Sequence, residues 1–184
     1  AETDSAIARA DSAVGALVDG IAQLPPARRV NIIIVADHGM ADVNSDRLIF
    51  LDDYLSLDSL DVIDWTPVAA LAPKPGHDQY VRSRLLNAHP HLAVYRKAEV
   101  PARFHFSESA RISPVVAIAD EGWTITSHQG AGRTPPGWKG GAHGYDNQLP
   151  SMGALLVAAG AAFRAGMVMP PFQTDHVYSL LSTV

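Results

Sequence analysis

Residues 32–40, "IIIVADHGM", run through apolar and small side chains and then stop on a carboxylate, an imidazole and a glycine. A carboxylate is costly to desolvate unless something pairs with it. Asp37 and His38 therefore either cap a turn or hold a ligand. The segment 30–36, "VNIIIVA", is rich in β-branched residues, which predicts a strand buried on both faces inside a parallel sheet. Neighbouring side chains on a strand point apart. At a strand-to-loop junction that alternation breaks, and Gly39 frees the backbone to turn both side chains toward one point.

Outward from this strand the chain alternates. Upstream, Ile7, Val14, Leu17, Val18, Ile21 and Leu24 fall close to one helical face over residues 4–24, with Asp4 or Ser5 as the cap and Pro25-Pro26 as the stop. Downstream, the expected order is a polar loop at 37–47, a short strand at 48–51 and a helical turn near 52–57. Strands at 62–73 and 92–97 flank a helix at 77–88, and a strand pair follows at 113–127. A Gly/Pro-rich loop covers 128–144. The short apolar run 152–160 is read as a strand because it ends at a glycine, and "TDHVYSLLSTV" closes the chain as a helix capped by Thr174 or Asp175. Helices alternating with strands indicate a layered α/β sheet, whose ligands sit beyond the carboxyl ends of the strands.

Composition narrows the function. At 184 residues, 47% hydrophobic and 18% charged, the chain is ordinary globular protein with enough apolar surface for one core. A net charge of −5 provides no basic field for nucleic acid or anionic lipid. Cysteine is absent, which excludes disulfides and thiolate metal sites and leaves His, Asp and Glu as metal ligands. No stretch reaches the roughly 18 apolar residues of a membrane span. No signal peptide opens the chain, which does not begin with Met and reads like the interior of a longer one.

A second dense stretch is "GWKGGAHGYDNQLPS", residues 137–151, where glycines surround His143. Such glycines let a backbone approach a site closely, on a loop where function concentrates. His143 follows His38 by 105 residues (143 − 38), so only the fold can bring them together. On residues alone, Asp37, His38 and His143 read either as turn and loop residues or as a three-ligand zinc site with an open fourth position. The other histidines lack this context. His89 and His91 read as turn and surface residues, and His128 stands out only because it opens the loop leading to His143. Trp65, Tyr95 and Trp123 read as packing residues, and Arg103 and Arg133 as solvated surface groups. "GAGR", residues 130–133, is too short and badly placed for a phosphate-cradling loop.

"IIIVADHGM", followed later by "GAHGYDNQLPSMGALLVAAGAAFRAG" and "DHVYSLL", resembles the C-terminal half of the catalytic domain of a nucleotide pyrophosphatase/phosphodiesterase, within the alkaline phosphatase superfamily. The "DHGM" piece is shared widely in the superfamily, whereas the His-Gly-Tyr-Asp-Asn box is more specific to this family. The resemblance implies a layered α/β/α domain with a mostly parallel central sheet, of which this chain is the second half. It implies two Zn²⁺ ions, one held in part by Asp37 and His38 and the other in part by His143. An all-Asp/His ligand set suits zinc and is also compatible with manganese or iron. Asp146 and Tyr145 are the residues expected to orient His143.

The family's nucleophile, a Thr or Ser, and its remaining metal ligands match nothing in this chain, so the resemblance locates them in an N-terminal half upstream. The implied activity is zinc-dependent hydrolysis of nucleotide phosphodiester or pyrophosphate bonds, releasing nucleoside monophosphates through a covalent nucleotidyl intermediate. Another phosphodiesterase or phosphonate hydrolase of the superfamily, or a non-catalytic domain of the same fold, are the alternatives. The implied partners are a small-molecule nucleotide diester and the N-terminal half of the same domain, and the implied location is periplasmic or secreted, of bacterial type. By itself the fragment is expected to be poorly soluble and inactive.

Overall fold

The computed structural model describes residues 2–25, 30–65 and 67–184, which form two compact units. The first comprises residues up to Asp37 together with 155–184, and the second runs from His38 to Ala154.

In the first unit, α1 (Glu2–Ala22) begins and ends about two residues before the expected helix. Asp4 accordingly sits within the first turn, where a carboxylate complements the helix dipole. The helix ends ahead of Pro25, and Pro26 lies outside the described residues. Strand β1 (Ile32–Val35) pairs antiparallel with β10 (Leu156–Ala159), the strand expected at 152–160. The Ala36 amide extends this pairing by donating to Leu155 O at 2.9 Å. Gly160 ends β10 because a Cβ there would lie 2.4 Å from Asn31 Oδ1, which accepts the Ala162 amide. Among the described residues β1 has β10 alone as a neighbour, and its apolar side chains are only partly covered: Ile32, Ile33 and Ile34 are half-buried and Val35 is 47% exposed. The closing helix α4 is short (His176–Leu181), with Asp175 at the N-cap position but making no side-chain cap bond.

The second unit is built on a four-stranded sheet ordered β4 (Leu60–Asp64), β5 (Val68–Pro73), β7 (Val115–Ala119), β6 (Leu92–Arg96), antiparallel throughout. Helix α2 (Asp78–Leu85) contributes the fully buried Val81 and Leu85 to a core shared with Leu71 and Ala117. Strands β3 (Leu48–Phe50) and β8 (Thr124–Thr126) pair in parallel and bring Ile49 and Ile125 into the same core. The expected α/β class is met by a mixed arrangement of parallel and antiparallel strands, with β3–β8 the one parallel pair among the described residues. For β4 and β5 antiparallel pairing follows from connection length. Only residues 65–67 separate β4 from β5, enough for a hairpin and far short of the dozen or so residues of a parallel crossover.

Two strands lie where loops were expected. β2 (Ala41–Asn44) pairs antiparallel with β9 (Lys139–Ala142), Ala41 opposite Ala142. Both glycines of the "KGGA" strand are crowded. A Cβ on Gly140 would lie 2.5 Å from the Trp138 ring, and one on Gly141 would lie 2.7 Å from Met40 Cγ.

Candidate functional site

The β2–β9 pair closes the gap between the two candidate stretches. His38 stands three residues before β2 and His143 directly after β9, so antiparallel pairing carries both to one end of the ribbon. There the two imidazoles stack, with centroids 3.8 Å apart and planes at 16°. His38 Nδ1 lies 2.8 Å from Gly39 O. A carbonyl only accepts, so Nδ1 carries the proton, and in the neutral ring Nε2 is then the nitrogen available to a metal.

Gly39 is needed for a different reason from the one its sequence position suggested. Its Cβ would sit 2.0 Å from Ser151 O, and its amide donates to Met152 O at 3.1 Å. Close approach, rather than an unusual backbone angle, demands glycine at this position. Gly144 is the converse case, with φ +98° and open space around it.

Beyond Gly144 the loop is anchored twice. Tyr145 is buried and its hydroxyl donates to Trp123 O at 2.9 Å; burial raises its pKa. Asp146 receives the forked guanidinium of Arg103, Nη1 to Oδ1 at 2.6 Å and Nη2 to Oδ2, and also accepts the Gln148 amide at 3.0 Å. Arg103 holds the Asp146 carboxyl below its ordinary range. The same guanidinium lies 4.0 Å over the Phe104 ring. One expectation is corrected by these contacts: Asp146 and Tyr145 bind Arg103 and a carbonyl rather than the second nitrogen of His143. Arg103 is solvent-exposed, as expected, and in addition anchors this loop through Asp146. The signal missed was the Asp146–Arg103 pairing across 43 residues, for which local pattern carries no information.

Three other histidines are engaged elsewhere. The His128 amide donates to Asp52, its Nε2 lies 2.7 Å from Asp53 Oδ1, and its ring stacks 4.1 Å from Phe50. The bond to Asp53 raises its pKa. His91 is no plain surface residue, since it stacks on Trp123 at 4.3 Å and bonds Asp120 Oδ2 at 2.9 Å. His89 meets the same indole edge-on, and burial lowers its pKa.

Asp37 ends the first unit and His38 opens the second. Among the described residues no group of three or more His, Cys, Asp or Glu side chains is arranged to hold one ion. What fits a metal is the donor chemistry: adjacent carboxylate and imidazole, a second imidazole stacked on the first, and a fixed His38 tautomer.

A mixed α/β chain with this His-bearing ribbon defines a class, and comparison with known proteins defines the family. The profile described as Type I phosphodiesterase / nucleotide pyrophosphatase matches residues 1–146. The chain belongs to this family, within the alkaline phosphatase superfamily. Human ectonucleotide pyrophosphatase/phosphodiesterase family member 5 is 39% identical over 171 residues, covering 93% of this chain and 35% of its own length. A bovine bis(5'-adenosyl)-triphosphatase is 41% identical over 171 residues, covering 93% of this chain and 36% of its own length. The solved human family member 5 superposes with a TM-score of 0.89 at 38% identity, over 96% of this chain and 46% of that one. An inactive murine family member 5 in complex with AMP superposes with a TM-score of 0.76 at 41% identity, over 83% of this chain and 39% of that one. The chain thus spans between about a third and a half of the length of these relatives. They are vertebrate proteins, and a further similar protein comes from fission yeast. The expectation of a bacterial-type, periplasmic enzyme draws no support from them.

Proposed function

We propose that this chain is the C-terminal part of the catalytic domain of a nucleotide pyrophosphatase/phosphodiesterase and supplies half of its metal-binding residues. The carrying observation is the apposition of His38 and His143 at one end of the β2–β9 ribbon. Asp37 and His38 would hold one Zn²⁺ and His143 a second. Bound there, such a pair supplies Lewis acidity to an in-line displacement at phosphorus.

The chain's own residues set the geometry for this. The Gly39 carbonyl fixes the His38 tautomer, and the Gly39 amide ties that turn to Met152. Tyr145 and the Arg103–Asp146 pair hold the backbone that carries His143. The nucleophile, a Thr or Ser, is assigned to the N-terminal part of the same domain. Support for such a partner comes from apolar surface left uncovered: α1 buries no residue, and Val35 on β1 and Val157 on β10 are 47% and 48% exposed.

Substrates are proposed to be nucleotide diesters that release a nucleoside monophosphate. This is consistent with the bis(5'-adenosyl)-triphosphatase name of one relative and the AMP complex of another. The test uses the full-length protein containing this chain. His143→Ala should lose about one equivalent of zinc and nearly all turnover of the nitrophenyl ester of thymidine monophosphate. Unchanged zinc content would overturn the assignment, and preferential turnover of glycerophosphocholine would move the protein to another branch of the superfamily.

A further inference from the structure

The four-stranded sheet has two apolar faces, and the core accounts for one. Ala69 and Leu71 of β5 and Ala117 and Ala119 of β7 point into the core. Strand side chains alternate, so Val68, Ala70, Val116 and Ile118 line the opposite face, where an antiparallel sheet ordinarily presents polar groups to water. In this protein they floor a cavity of about 1390 Å³.

The cavity's far wall is the segment 100–113, and its end is Gly144–Asn147, the residues that directly follow His143. Phe104, His105 and Phe106 all line it. His105 adopts the left-handed conformation (φ 49°, ψ 35°), a backbone state that non-glycine residues hold only where the surroundings impose it, often at functional sites. Arg103, beside these residues, grips Asp146 and rests on Phe104, so wall and end are locked together. Phe106 is 44% exposed.

The charge inside selects the occupant. Asp64, Glu108 and Asp146 line the cavity, Asp146 being paired with Arg103, against one lining guanidinium, Arg111, which disfavours a phosphate. Apolar floor, aromatic wall, and the imidazole of His105 with the amide of Asn147 instead suit a planar, hydrogen-bonding ring. We propose that this cavity receives the heteroaromatic base of the leaving group, the part of the diester beyond the bond that is cut. The proposal rests on the nucleotide diesterase reading above.

The test again uses the full-length enzyme. Two substrates share the thymidylyl group and differ in what leaves, nitrophenol or methanol. In Phe106→Ala, the ratio of kcat/KM for the nitrophenyl ester to that for the methyl ester should fall about tenfold, the size of a lost aromatic contact. Ala102→Leu, which adds bulk at the cavity lining, should lower the same ratio. Ratios unchanged in both variants would overturn the proposal. Photolabelling with 8-azido-ADP provides a readout independent of turnover. Label competed by ADP should map to residues 104–112, and label confined to other segments would also overturn it. Should the unsubstituted enzyme cleave neither ester, the diesterase reading fails separately and the labelling pattern still decides the cavity.

Discussion

Gly39→Ala is the substitution that most sharply probes how the candidate site is held. A methyl group on Gly39 would lie 2.0 Å from Ser151 O and 2.9 Å from Gly153 O, both backbone atoms, where real contacts of this kind do not fall below 3.0 Å. Either the 38–39 turn or the 151–153 turn must therefore move by about 1 Å. Movement of the first carries His38 with it; movement of the second breaks the Gly39 N–H bond to Met152 O, a loss of about 1 kcal/mol. A displacement of about 1 Å at a positioned group costs on the order of 100-fold in rate. The assay is kcat/KM on the nitrophenyl ester of thymidine monophosphate in the full-length protein, with a thermal melt on the same sample. The expected result is a near 100-fold loss accompanied by a modest fall in Tm. An alanine variant with the activity and Tm of the unsubstituted protein would refute the close-approach account of this glycine.

The other expectations are smaller. Gly144→Ala places a side chain at φ +98° in open space, so its cost is backbone strain of about 1–2 kcal/mol. A melt showing no destabilisation would contradict this. Tyr145→Phe removes the donor to Trp123 O and should destabilise by about 1–2 kcal/mol, read by urea unfolding. His128 has its pKa raised by Asp53, so this pair's stabilisation is complete below the ordinary value of 6.5 and is lost as pH rises through the folded-state pKa. Asp53→Asn should therefore narrow the difference in Tm between mildly acidic and mildly alkaline buffer. The Asp146 pKa is lowered by Arg103, so that pair contributes above the ordinary value of 3.8 and weakens as pH falls through the lower folded value. Arg103→Ala should make acid unfolding begin at higher pH than in the unsubstituted protein, whereas Arg103→Lys should recover only part of the difference, since lysine cannot supply the fork.

Some of this architecture is legible from residue pattern and some is not, for physical reasons. The helix of residues 2–22 and the strands β1 and β10 carry periodicity or an apolar run strong enough to read locally. The β2–β9 ribbon does not. "ADVN" alternates apolar and polar residues but is too short to stand out locally, and "KGGA" offers little side-chain pattern, its glycines lying bare against Trp138 and Met40. That ribbon brings His38 to His143, so the candidate ligands are visible as residues while the device that joins them is not. Arg103 looks like a surface charge because its partner, Asp146, is distant in the chain. His91 looks like a turn residue because the Trp123 ring it stacks on lies 32 residues (123 − 91) further along the chain.

The central claim is that Asp37 and His38 serve one ion and His143 another. Anomalous diffraction at the zinc edge from crystals of the full-length protein tests it directly. The account predicts two peaks roughly 3.5–4 Å apart, one about 2.0–2.1 Å from His38 Nε2 and beside the Asp37 carboxylate, the other at the same distance from a His143 ring nitrogen. A single peak shared by both imidazoles, or peaks that touch neither, would contradict it.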